Sequence, residues 1–351
     1  MRFCKSCGFP LGTRPGLIVE NGICGACINQ NMKVYLKISG EFIRRQKWLT
    51  KYIQDNKTNE KYDCVIAVSG GKDSHAIVKR LYENHGVKNA LLVSVTDEFT
   101  HTKAGKANID NLVCRYNCDL ITYRCSPITF KEQTLKDFEE SLHPLKWIEE
   151  KIYSVPVEIA KNYGIKLVFF GENSAFEYGT SHELDIIKKT DQRFAIGVEP
   201  YYSDISWKWV EILYIGAIYP YSITDSLEQA KSIGFKDLDD FGEWKRQGSI
   251  DQFTQIDSIA YIIQLWTKYV KFGFQRVADI ACRYVREGIY TREKARLMID
   301  DYDYMCDPEA KADFCKTLGI SHTRFNEIVD KHANRELVEK KFGDWHVKEK
   351  E

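Results

Sequence analysis

Six consecutive residues, Ser69-Gly70-Gly71-Lys72-Asp73-Ser74, have the types needed to cradle a polyphosphate. Gly70 and Gly71 let main-chain N–H groups come close to an anion, and N–H groups at a helix start point toward negative charge. Ser69 and Ser74 add hydroxyl donors, Lys72 adds a cation, and Asp73 can hold the metal that accompanies a nucleotide. The G-x-x-x-x-G-K-S/T spacing of the Walker loop is missing. An apolar run, Cys64–Val68, precedes the six residues and an amphipathic stretch, Ser74–Glu83, follows them. The loop is therefore expected where a buried strand turns into a helix.

A second constellation lies near the N-terminus. Cys4-x-x-Cys7 and Cys24-x-x-Cys27, with sixteen residues between the pairs, have zinc-ribbon spacing. Gly8, Gly22 and Gly25 allow tight knuckles. Four thiolates close a tetrahedron and leave no open position for catalysis, so a structural Zn2+ is expected. The other seven of the eleven cysteines, Cys64, Cys114, Cys118, Cys125, Cys282, Cys306 and Cys315, form no C-x-x-C pair and read as structural.

The elements that must position these residues follow from periodicity. Residues 1–30 form the ribbon, and residues 31–60 read as a helical linker with a polar end, 55–60. From 61 to 240, short apolar runs alternate with amphipathic stretches. The predicted strands are Cys64–Val68, Ala90–Val95, Asp119–Tyr123, Lys166–Phe170 and Tyr214–Tyr219. Helices are predicted over Ser74–Glu83, Ile148–Tyr163 and Asp225–Ile233. Such alternation predicts an α/β fold, a parallel sheet with helices on both faces that binds ligands at the strands' C-terminal ends. Residues 241–351 read as mostly helical: Asp257–Lys271, Arg276–Glu287 stopped by Gly288, Arg292–Asp300 capped by Thr291, and a helix capped by Ser321.

Composition narrows the class. Hydrophobic residues make up 44% and charged residues 28%, the balance of an ordinary soluble domain. Fifty basic and fifty acidic residues cancel, which argues against an extended nucleic-acid surface. No apolar run is long enough to span a membrane and the first residues show no signal-peptide core, so the expectation is a cytoplasmic protein.

Three further segments bear on the site. The fourth predicted strand runs into Gly171-Glu172-Asn173-Ser174-Ala175-Phe176-Glu177-Tyr178-Gly179, where carboxylates, an amide and a phenol are flanked by glycines at a strand's end. Thr96–Thr102, with Gly105 and Asn108, can line an adenosine pocket. In it His101 reads as a local hydrogen-bonding residue. Tyr201, Tyr202, Trp207, Trp209, Tyr214, Tyr219 and Tyr221 either stack on a sugar or fill a core.

The pattern S-G-G-x-D-S resembles the PP-loop of enzymes that split ATP between its α and β phosphates. That likeness implies an adenine nucleotide alpha-hydrolase-like sheet, with ATP and Mg2+ as cofactors. Gly171–Gly179, Gly248–Asp257 (G-S-I-D-Q-F-T-Q-I-D) and Lys271–Arg276 (K-F-G-F-Q-R), followed by Asp279, Cys282, Arg286, Gly288 and Thr291-Arg292-Glu293, resemble more specifically the N-acetyl sugar amidotransferases of bacterial surface-polysaccharide and lipopolysaccharide biosynthesis. The one departure is Gln275, where a glycine is expected before the arginine. The resemblance implies conversion of a sugar acetamido group to an acetamidino group. It implies Lys72, Asp73, Glu172 and Asn173 in catalysis, and Ser69–Ser74, Thr96 and Gly171 on the nucleotide. Glu177, Tyr178, Asp251, Gln255 and Asp257 are implied as contacts to the N-acetylated sugar. No glutaminase nucleophile is visible, so ammonia is expected from separate glutaminase and cyclase-like subunits.

Two other readings remain. A tRNA-modifying PP-loop enzyme of the thiolase kind also pairs an N-terminal ribbon with S-G-G-K-D-S, but this chain lacks a central C-x-x-C and a basic excess. A nucleic-acid-binding module is suggested by Leu318–Phe325, which resembles the turn of a helix-turn-helix.

Overall fold

The computed structural model describes residues 2–171, 178–180 and 209–348. Four two-residue strands, β1 (Arg2–Phe3), β2 (Pro10–Leu11), β3 (Val19–Glu20) and β4 (Ile23–Cys24), make two antiparallel knuckles. The helix expected over 31–60 is instead two, α1 (Gly25–Ile38) and α2 (Glu41–Asp55). Gly40 parts them at φ +73°, a left-handed conformation that glycine adopts at little cost.

Five parallel strands follow: β5 (Cys64–Ala67), β6 (Ala90–Thr96), β7 (Asp119–Arg124), β8 (Leu167–Phe170) and β9 (Glu211–Tyr214), in spatial order β7-β6-β5-β8-β9. β5, β6 and β8 read as nearly continuous apolar runs because both faces are buried, whereas the edge strand β7 is part-exposed and carries Asp119, Thr122 and Arg124. Cys64 and Ile66 of β5 face one cluster with Leu49, Ile77, Val78 and Leu81, while Val65 faces another with Tyr153, Val157 and Ala160. Helices α3 (Lys72–His85), α4 (Lys103–Tyr116) and α7 (Ile223–Lys231) follow β5, β6 and β9; α5 (Pro127–Ser141) and α6 (Lys146–Asn162) link β7 to β8. The last strand ends four residues into the apolar run, since Ile215–Ala217 curl into a short 3-10 turn. Tyr214–Tyr219 is therefore not a strand.

The C-terminal region holds α8 (Ile262–Phe272), α9 (Arg276–Arg286), α10 (Arg292–Tyr302), α11 (Pro308–Leu318) and α12 (His322–His332), then a hairpin of β10 (Val338–Lys341) and β11 (Asp344–Val347). Thr291 and Ser321 cap their helices, accepting N–H bonds from Lys294 and Arg324. The helix expected from 257 starts only at 262. Residues 257–259 are engaged elsewhere: Thr102 N–H donates to the Asp257 carbonyl at 3.2 Å, and Ile259 N–H donates to Thr100 at 2.9 Å. The bundle is built on α5, with Phe130 and Phe138 packed among Phe314, Phe325 and Trp266. Each of these rings contributes about 1.5–3 kcal/mol by leaving water. Among the described residues no helix is long and apolar enough to cross a membrane.

Candidate functional site

The loop after β5 is held open by its own side chains. Ser69 N–H donates to Ser74 Oγ at 2.9 Å, and Gly71 N–H to Ser69 Oγ at 3.4 Å. Gly70 sits at φ +85°, and a Cβ there would lie 3.0 Å from Ile109 Cγ1 and 3.1 Å from the Gly105 carbonyl. Conformation and space both require glycine. His75, fully buried, supports the loop from behind: its Nδ1 lies 3.1 Å from the Gly71 carbonyl, and its Nε2 lies 3.3 Å from the Asn111 amide. Burial pushes the imidazole down to about 4, so it is neutral at ordinary pH. Nδ1–H then donates to Gly71 while Nε2 accepts from Asn111. Sequence reasoning missed this histidine because a histidine inside a helix carries no spacing signal.

Lys72 is buried, with Nζ 2.6 Å from Asp73 Oδ2. Desolvation pushes the Asp73 carboxyl up, but Lys72 and Arg283 together hold it below the ordinary range. Its other oxygen, Oδ1, is buried without a hydrogen bond. Asp73 lines a cavity of about 110 Å³ at the C-terminal ends of β5 and β8, together with Gly171, Tyr178, Tyr221, Gln255 and Arg276 among others. Gly171 meets Ile77 of α3 so closely that a Cβ would be 2.5 Å from Ile77 Cδ1. Glu172, Asn173 and Glu177, together with Tyr201, Tyr202 and Trp207, lie outside the described residues.

The C-terminal region supplies the opposite wall. Arg283 of α9 lies over the rings of Tyr178 and Tyr221, 4.9 Å and 5.3 Å from their centroids, and donates to Tyr221 Oη at 3.2 Å. Gln255, a non-glycine residue at φ +50°, lines the cavity in a conformation that the surrounding structure must impose. Arg276 lies beside it. The sequence drew attention to Gln255 and Arg276 through their motifs; Arg283 was missed, since a charged residue on an amphipathic helix normally faces water.

Other expected contacts are placed differently. The Asp251 carboxylate is turned inward, accepting from Arg246, from Thr254 N–H at 2.9 Å and from Thr254 Oγ1 at 2.8 Å, so it organises the 246–254 loop. Thr96 ends β6 with its hydroxyl 3.1 Å from His101 Nε2, inside its own loop. That loop is locked onto the C-terminal region: Ser258 donates to Asp97 at 2.6 Å, and Thr100 N–H and Oγ1 donate to Asp313 at 2.9 Å and 2.6 Å. Asp257 lies next to Asp97, and one of its oxygens is buried without a hydrogen bond. Burial and the neighbouring Asp97 charge push its carboxyl up to about 7. At the helix-turn-helix-like turn, Arg324 is paired with Glu139 of α5 at 2.7 Å and with Glu327 at 3.4 Å.

The four ribbon cysteines are buried, with sulfurs within 4.8 Å of one another. Cys4 and Cys27 are 3.9 Å apart, Cys7 and Cys24 3.8 Å, and Cys24 N–H donates to Cys4 Sγ at 3.3 Å. Bonds of 2.3 Å to one tetrahedral ion imply sulfur separations of about 3.8 Å, so the cluster fits a single metal. The ribbon packs on Phe274, just before α9, and on Ala278 and Cys282 of that helix. Arg14 pairs with Asp279, and Arg286 donates to Cys7 Sγ at 3.6 Å.

Asp257 generates a pH prediction. Its carboxyl is raised from an ordinary value of about 3.9 to about 7. The folded chain therefore keeps a proton that the unfolded chain releases. The stability from this group is complete below pH ~4 and is lost as pH rises through ~7. Asp257→Asn removes that loss, so its thermal midpoint should exceed the parent's by a few degrees at pH 8 and not at pH 4. A difference that stays constant across that range would contradict the assignment.

Residues 247–350 match the family described as LPS biosynthesis protein WbpG-like, C-terminal domain. Over 275 residues the chain is 23% identical to an uncharacterized protein of Methanocaldococcus jannaschii, spanning 78% of this chain and 84% of that one. Among solved structures, NMN synthetase from Francisella tularensis is similar at a TM-score of 0.40 and 12% identity, over 74% of this chain and 90% of that one. The U34-tRNA thiolase NcsA from Methanococcus maripaludis, solved with its 4Fe-4S cluster, is similar at a TM-score of 0.32 and 13% identity, over 87% and 90%. Likeness at that level says nothing about activity. Residues 247–350 are WbpG-like, similar to the C-terminal domain of a lipopolysaccharide-biosynthesis protein; they supply Gln255 and Arg276 to the cavity wall, and Arg283 over two of the rings that line it.

Proposed function

We propose that the chain is an ATP-dependent amidotransferase that replaces the acetamido oxygen of an N-acetylated sugar with ammonia nitrogen, for surface-glycan biosynthesis. The observation that carries this reading is the S-G-G-K-D-S loop, whose Asp73, paired with the buried Lys72, lines a cavity that Gln255 and Arg276 of the WbpG-like region also line.

The chemistry explains why ATP is needed. An amide carbonyl is a poor electrophile, and its oxygen leaves badly. On this reading the amide oxygen attacks the α-phosphorus of ATP and pyrophosphate departs, leaving an adenylylated imidate. Ammonia adds to the imidate carbon and loses a proton, and AMP leaves as the amidine forms. Lys72 and the N–H groups of residues 69–74 take up the charge of the departing pyrophosphate. Asp73 would hold magnesium, which would supply further positive charge to the same phosphates. Glu172 and Asn173, which follow Gly171 in sequence, are assigned to catalysis, and Ser69, Ser74 and Thr96 to the nucleotide. Glu177, Tyr178 and Gln255 are assigned to the sugar, whereas Asp257, beside Asp97 and away from the cavity lining, is not. A glutaminase with a cyclase-like subunit would supply ammonia in the cell, and free ammonium replaces them in an assay.

The ribbon is assigned one structural zinc ion, held by Cys4, Cys7, Cys24 and Cys27. Metal analysis should find about one zinc per chain. Cys24→Ser should lose it and melt roughly 10 °C or more lower, because a structural site contributes directly to folding. Iron with an absorption band near ~400 nm would contradict the assignment and favour a cluster-bearing enzyme.

The reaction is tested with ATP, magnesium, ammonium and an acetamido sugar. AMP and pyrophosphate should appear together with the amidine product. Lys72→Ala should slow turnover by about a hundredfold or more while keeping the parent's circular dichroism spectrum. Release of ADP and phosphate, or thiolation of a tRNA, would refute the proposal.

A further inference from the structure

Arg276 carries a charge that no ion pair among the described residues neutralises. It lines the cavity beside Gln255, and its Nε is buried without a hydrogen bond. Four nearby cations have ion pairs, Lys72 with Asp73, Arg80 with Asp225, Arg14 with Asp279 and Arg246 with Asp251, so the Asp279 carboxylate one turn along α9 is already taken by Arg14; Arg283 lies over the Tyr178 and Tyr221 rings. A guanidinium does not shed its proton in a protein, and a half-buried one without a counter-ion is costly. The site is therefore built to receive an anion.

On the amidotransferase reading, two anions can enter: the triphosphate of ATP, and any acidic group on the second substrate. The triphosphate already has the loop N–H groups and Lys72. Arg276 belongs instead to the WbpG-like region, outside the nucleotide sheet. Its neighbours in the cavity are Gln255 and the rings of Tyr178 and Tyr221. Aromatic faces pack against sugar rings, and the planar fork of an arginine matches a two-oxygen anion.

We propose that Arg276 is the specificity-determining residue for the second substrate, pairing through its fork with a carboxylate or diphosphate on the acetamido sugar. The identity of the ligand as a sugar rests on the function proposed above; the requirement for an anion rests on the cavity.

Isothermal titration at fixed ionic strength tests this on the full chain, saturated with magnesium and the non-cleavable α,β-methylene analogue of ATP. The probes are N-acetylneuraminic acid for a carboxylate, UDP-N-acetylglucosamine for a diphosphate, and neutral N-acetylglucosamine. One of the two acidic probes should bind at least tenfold tighter than the neutral one, and which one does so identifies the anion. Arg276→Gln should abolish the preference and Arg276→Lys restore part of it, both keeping the parent's melting midpoint and affinity for the ATP analogue within about twofold. A preference that survives Arg276→Gln overturns the proposal, as does a wild-type protein that shows no preference. An equal loss of analogue affinity also overturns it, because Arg276 would then serve the nucleotide. AMP release with N-acetylglucosamine as readily as with the acidic sugars would sink this inference and leave the amidotransferase standing. Arg276-dependent anion binding without AMP release would do the reverse.

Discussion

Three backbones meet with no side chain between them, and the candidate site depends on that contact. The missing Cβ of Gly70 faces the Gly105 carbonyl; a Cβ on Gly105 would lie 2.9 Å from Asp257 Cα and 3.0 Å from its carbonyl oxygen. Loop, helix α4 and the 256–259 segment are thus packed too closely to admit a Cβ at Gly105 without a shift, and leave little room for one at Gly70. Closely packed interiors transmit displacement rather than absorbing it. The position of Gln255, two residues before Asp257, is consequently tied to the position of the loop that faces it across the cavity. The hydrogen bonds of Thr100, Thr102 and Ser258 hold the register of this contact.

A second brace comes from the N-terminus. The ribbon packs against α9, whose charged residues Arg276, Asp279, Arg283 and Arg286 recur at helical spacing along one face. Asp279 and Arg286 reach Arg14 and the Cys7 sulfur, Arg276 lines the cavity, and Arg283 lies over the Tyr178 and Tyr221 rings that line it. One rigid helix thus joins the cysteine cluster to the candidate anion site. On the proposed reading, the metal contributes to activity by fixing this helix rather than by meeting substrate.

Much of this was legible in the residues. The inner strands were visible because burial on both faces gives apolar runs, and the strand-to-helix turn at 69–74 because its glycines sit between such a run and an amphipathic stretch. The cysteine quartet was visible because metal geometry fixes ligand spacing. Boundaries failed where tertiary contacts override local pattern: Gly40 splits one periodic stretch into two helices, Ile215–Ala217 leave the sheet, and residues 257–259 spend their hydrogen bonds on Thr100 and Thr102. The inward turn of Asp251 was equally hidden, since an acidic residue in a polar motif looks the same whether it faces a ligand or an arginine. His75 and Arg283 were invisible for a related reason: their roles are set by what packs against them from distant parts of the chain.

The central claim is that the sugar's amide oxygen is the atom transferred to phosphorus. The direct measurement is mass spectrometry of AMP formed from a sugar whose acetamido oxygen is 18O, with unlabelled ATP and water. The account requires that the label appear in the AMP phosphate, one 18O per turnover, with the amidine product free of it. Unlabelled AMP, with 18O retained in the sugar, would contradict it.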